Sequence, residues 1–102
     1  MTRTEFLKIC ETQYNECIAE MAAKGGDYAE EADVHANFRD DANEAEVPIE
    51  KALGFHLNKQ YRAVRRYCNG HELKSEGIRS RITDTINYLL LLRGLVEYLE
   101  AE

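Results

Sequence analysis

Asp84 and Asn87 interrupt an otherwise apolar run in the segment ITDTINYLLL, residues 82–91, and a carboxylate and an amide in that company require partners. An unpaired buried charge costs several kcal/mol. Glu76, Ser80, Asp84 and Tyr88 recur every four residues, which on a helix forms one polar stripe with Asn87 at its edge. Such a stripe either hydrogen-bonds a ligand or is a satisfied internal network, for instance Asp84 paired with a lysine of the preceding helix. Lys59, Arg62 and Arg66 follow one another at three- and four-residue steps, interleaved with Tyr61 and Tyr67 in NKQYRAVRRY. In an acidic chain that cluster can read phosphates while a tyrosine stacks on a base or ribose. A solvated helix face is the commoner reason for such a run. A third group is KGGDYA, residues 24–29, where Lys24, Asp27 and Tyr28 flank two glycines whose amides can approach a ligand. Asn37 and Phe38 follow at the start of the next helix. A helix terminator needs one glycine and has no use for Lys, Asp and Tyr.

Other chemistries find less support. His35, His56 and His71 lack the spacing to a second ligand that a metal site favours, and each is expected at the surface or half-buried. No glycine-rich phosphate cradle and no nucleophile beside a base is visible, so no catalytic residue is assigned. Cys10 and Cys17 lie seven apart on one helical face, and the three cysteines are expected to be core thiols of a reducing compartment.

Four helices are expected to position these residues. Thr2 and Glu5 fit a capping box, and Phe6, Cys10, Tyr14 or Cys17, and Met21 recur at helical steps until Gly25 and Gly26, predicting a helix over residues 3–24. A left-handed glycine should end it. Asp33 can cap a short second helix carrying Val34, Phe38, Ala42 and Ala45 on one stripe. Pro48 suits the first turn of a third, with Ile49, Leu53, Leu57, Tyr61, Val64 and Cys68 inward and Asn69-Gly70 at its end. Ser75 caps the fourth, in which Ile78, Ile82, Ile86, Leu89 and Val96 are the expected buried face. Nothing alternates like a strand, and no repeat or linker divides the chain. The expected architecture is a single all-α domain over residues 1–102, like a four-helix bundle. NYLLLLRGLVEYL is apolar on more than one face, which predicts homo-oligomerisation through this helix.

Composition sets the outer limits. The chain has 102 residues, enough for one domain but with a thin core for a monomer. Its net charge of −6 argues against nucleic-acid and anionic-membrane partners, which select an excess of Lys and Arg, while a local basic patch still admits small anions. No leader pattern opens the chain, and the longest apolar run, Tyr88 to Leu92, is far short of the ~20 residues of a membrane span. A soluble protein of the cytoplasm is expected.

KGGDYA, then ANFRDDA, then a proline-started helix with LNKQYRAV, then SEGIRSRITDTINYLLLL together resemble small phage-encoded proteins of the nucleotide-modification-associated domain 1 family. More distantly, the chain is similar to all-α nucleoside triphosphate pyrophosphohydrolases of the MazG and dUTPase type. The resemblance spans about residues 13–98 and is most specific in the DY hinge and the D-x-x-N-Y helix. In that superfamily helix-borne Glu and Asp residues hold magnesium against phosphates, which implies Glu76 and Asp84, with Glu16 and Glu20, as metal ligands if the protein is an enzyme. The paired E-x-x-E and E-x-x-D motifs are not reproduced, and Ser80 stands where related sequences often carry Asp. The resemblance with thinned carboxylates therefore implies a phage-type binder of a nucleotide-derived small molecule that needs no cofactor. Its biological form would be a sponge for cyclic-nucleotide or ADP-ribose-type immune signals in an infected bacterium. Lys24, Lys59, Arg62 and Arg66 would meet phosphates, Tyr28 or Tyr61 would stack, and Asp84 with Asn87 would bond base or ribose. The alternatives are a magnesium-dependent pyrophosphohydrolase and an acidic protein that docks on a host protein.

Overall fold

The computed structural model describes residues 1–28, 33–73 and 77–101, except for the side chains of residues 24–28. Among the described residues the chain is all-α, with helices α1 (Arg3–Tyr28), α2 (Ala36–Ala45), α3 (Ile49–Cys68) and α4 (Ile78–Ala101). The Thr2 backbone N–H donates to Glu5 Oε2 at 3.0 Å and the Glu5 N–H to Thr2 Oγ1 at 3.1 Å. Both bonds of the expected capping box are thus made. The expected stop at Gly25 is not: α1 continues through both glycines to Tyr28. Glycine lowers helix propensity without forbidding the helix, so a glycine pair weakens the turn and need not end it.

The other ends follow local chemistry more closely. Asp33 Oδ1 accepts the His35 N–H at 3.0 Å, so Asp33 organises the entry to α2 from two residues before its N-cap, His35. Pro48, extended, precedes α3. At the other end of α3, Gly70 takes φ 88°, its N–H donates to the Tyr67 carbonyl and the His71 N–H donates to the Arg66 carbonyl. That is the paired closure that a left-handed glycine permits. Ser75 lies outside the described residues.

α3 packs along α4, α2 lies on α3, and α1 reaches α4 only over its second half. Leu53, Leu95 and Cys17 are the fully buried side chains, joined by Ala42, Ala52 and Phe38. The expected stripes are only partly the buried ones. On α4 the covered row is Thr83, Asn87 and Leu95, whereas Ile82, Leu89 and Val96 stay 37%, 47% and 39% exposed. Tyr61, Val34 and Ala45 are likewise exposed. Cys10 and Cys68 are exposed too, so Cys17 is the core thiol among the three. Apart from Val34, which precedes α2, each of these positions lies on a helix face that no other helix covers among the described residues. None of the helices is long and apolar enough to cross a membrane, among the described residues.

Candidate functional site

The short α2 brings Asn37, Phe38 and Asp41 to one face, and α3 and α4 supply His56 and Tyr88 opposite. Together with Asn87 they line a cleft of about 440 Å³ with a mainly apolar wall. Three rings form its centre. Phe38 meets His56 and Tyr88 edge-on at 5.4 and 6.1 Å between centroids, while His56 and Tyr88 lie nearly parallel, 7° between planes and 5.9 Å between centroids. Edge-to-face and parallel offset contacts are the favoured aromatic geometries. Asp41 Oδ2 lies 3.3 Å from His56 Nε2 at the exposed rim. Asn87 is buried, and its Oδ1 has no hydrogen-bond partner among the described residues. A buried acceptor without a donor costs about 1–3 kcal/mol, which a ligand N–H or O–H would offset.

His35 holds the far wall. It is buried rather than at the surface or half-buried as expected, and its Nε2 donates to the Leu91 carbonyl of α4 at 2.8 Å. Gly94 faces the imidazole, and a Cβ there would lie 3.7 Å from His35 Cε1. Two residues earlier Asp33 is tied down, with Arg39 Nε donating to its Oδ2 at 3.1 Å. The His35 backbone N–H and the Arg39 guanidinium hold the Asp33 carboxyl below its ordinary value.

A second, more open cleft of about 720 Å³ lies where α1 meets α4, lined by Glu16, Ala19 and Glu20 with Arg79, Ser80 and Asp84. Gln13 anchors α1 there, donating to Thr83 Oγ1 at 2.8 Å, while the Thr83 hydroxyl donates back to the Arg79 carbonyl at 3.1 Å. Asp84, half-buried, belongs to both clefts. Magnesium needs several oxygen ligands in near-octahedral array. No group of three acidic, histidine or cysteine side chains among the described residues is placed to hold an ion. Glu16, Glu20 and Asp84 line this cleft without forming such a group, and Glu76 lies outside the described residues.

The structure thus gathers Asn37, Phe38, Asp84, Asn87 and Tyr88 in one cleft. Lys59, Arg62 and Arg66 are exposed on α3 and line neither cleft. Lys24, Asp27 and Tyr28 fall on side chains outside those described, as does Glu76. Sequence reading missed His56 and Asp41. Their signal was faint: one histidine in the middle of α3 and one of several acids on α2, brought together only by helix packing. Searches of family models, curated proteins and solved structures find no match to this chain.

Proposed function

We propose that this protein binds a nucleotide-derived small molecule, with its base in the aromatic cleft. The observation that carries the reading is Asn87: an amide with an unsatisfied, buried oxygen beside Phe38, His56 and Tyr88. A flat heterocycle with N–H groups suits such a place, because it offers rings a face and the amide a donor. The cleft volume lies within the ordinary range for small-ligand sites. Asp84 and Asn37 provide further polar contacts for base or ribose. The proposal is made for the nucleoside part, since the basic residues of α3 stand outside the cleft. Binding without turnover would let the protein sequester a nucleotide signal. Assembly through α4, which would complete a bundle-like arrangement, belongs to the same reading.

The second reading, a nucleoside triphosphate pyrophosphohydrolase, rests on Glu16, Glu20 and Asp84 lining one cleft, although these three are not placed to hold an ion. Native mass spectrometry with nucleosides and nucleotides, with and without magnesium, separates the two. A retained mass increment, recovered unchanged, supports binding, and release of pyrophosphate only with magnesium supports hydrolysis. The absence of both an increment and pyrophosphate, with every nucleoside and nucleotide, overturns both. Asp84→Asn should keep the fold and lose affinity, and undiminished affinity in that variant would remove Asp84 from the site.

A further inference from the structure

The first twelve residues of the chain are exposed throughout, although residues 3–12 form the first half of α1. The arm is not a polar one. Phe6, Leu7 and Ile9 are 53%, 57% and 52% exposed, and Cys10 beside them is exposed as well. Phe6 and Cys10 continue, at four- and seven-residue steps, the same helical row as buried Cys17. The row that packs against α4 therefore runs on past anything among the described residues that covers it. A helical extension in water gains close to nothing per residue, and the capping box at Thr2 does not compensate for an unburied apolar row.

Size gives an independent measure. A folded monomer of 11.7 kDa exposes about 5,900 Å², whereas this chain exposes 7955 Å². Its radius of gyration is 15.4 Å against about 13 Å for a compact chain of this length. The surplus, about 2,000 Å², matches one chain's share of a large obligate dimer interface.

We propose that the α1 arm is one half of a self-interface, and that a second copy of this chain covers Phe6, Leu7, Ile9 and Cys10. The partner is a second copy because the arm must be covered whenever the chain is folded, and the partner always present in equal amount is the chain itself. The same chain also carries exposed apolar residues on α4, Leu89, Leu90, Val96 and Leu99, so an isologous pair can bury both patches at once. The inference extends the α4 assembly proposed above and does not depend on any ligand. It also bears on the clefts, since α1 supplies Glu16 and Glu20 to one and Met21 to the other. A pair that holds the arm holds one wall of each.

Light scattering on a sizing column and thiol labelling test it. The wild type should run at twice the chain mass or a multiple of it. A double variant Phe6→Asp, Ile9→Asp should run as a monomer with its far-ultraviolet helical signal reduced by roughly a tenth, the share of the arm. Both positions are exposed within one chain, so the packed helices are untouched. Ellman's reagent should modify Cys68 quickly and Cys10 slowly in the wild type, with Cys10→Ser identifying the slow thiol. A monomeric wild type at 100 µM, a scale about that of concentrated stocks, overturns the inference. So does a wild-type oligomer in which Cys10 reacts as fast as Cys68. Monomers produced by Leu89→Asp, Val96→Asp while the arm variant keeps its mass overturn the arm's role and leave α4 assembly standing.

Discussion

α4 presents two faces that differ in an instructive way. One face, Thr83, Asn87 and Leu95 in a row, is buried although two of its three members are polar. The other, Ile82, Leu89 and Val96, is wholly apolar and remains exposed. Burial on this helix is decided by which side α1, α2 and α3 approach. The polar members of the covered face are there for what they bond: Thr83 fastens α1 through Gln13, and Asn87 keeps an acceptor for the cleft. The apolar members of the open face are those that the proposed second copy would cover.

The sharpest way to break this comparison is to shorten one leucine on each face. Leu95→Ala should cost about 2–5 kcal/mol in urea unfolding, the range for emptying a packed core site, independent of protein concentration. Leu89→Ala should shift the midpoint less, and by an amount that depends on protein concentration if the proposed second copy covers it. Equal, concentration-independent losses would erase the distinction. Within the buried face, Thr83→Val keeps the shape and removes both hydroxyl bonds, leaving the Gln13 amide only its weak bond to Cys17 Sγ at 3.5 Å. A loss of about 1–2 kcal/mol is expected in the same assay, with no loss if Gln13 finds water.

Asn87→Leu separates site from scaffold. Removing a buried acceptor that has no donor should leave stability unchanged or raise it by up to about 1 kcal/mol, while nucleoside affinity falls at least about tenfold. A marked loss of stability would mean that Asn87 is a structural bond and not a ligand contact. A smaller gain is expected from Gly94→Ala. The added methyl would meet the His35 ring at ordinary contact distance, and helix propensity favours alanine by about 0.5–1 kcal/mol. Thermal unfolding reads it, and destabilisation would show that the His35–Leu91 contact needs the open space.

The smallest effect belongs to the entry of α2. The Asp33 carboxyl is held below its ordinary value, so its bonds to His35 and Arg39 contribute stability that is present above the unfolded-state pKa near 3.8. That contribution is lost as pH falls through the lower folded-state value. Asp33→Asn should lower stability slightly at neutral pH, where the charged carboxylate contributes, and converge on the wild type at low pH, which flattens the acid limb of the stability curve. An unchanged acid limb would remove Asp33 as a contributor.

Much of this molecule was legible in one dimension. The capping box at Thr2, the proline before α3 and the Asn69-Gly70 closure each act within a few residues, so spacing alone reveals them. Helical periodicity likewise established an all-α chain. Asp84, Asn87, Tyr88, Asn37 and Phe38 stood out because their chemistry clashed with apolar surroundings or flanked a helix start, and the fold brings them to one cleft. What the sequence left open was every question of facing. Which stripe of α4 is covered, whether Gly25 ends α1, which histidine meets Tyr88, and that Lys59, Arg62 and Arg66 stay outside the cleft depend on how helices lie against one another. An amphipathic period names a face without naming what meets it, and side chains thirty residues apart become neighbours only when packing sets the angle between their helices.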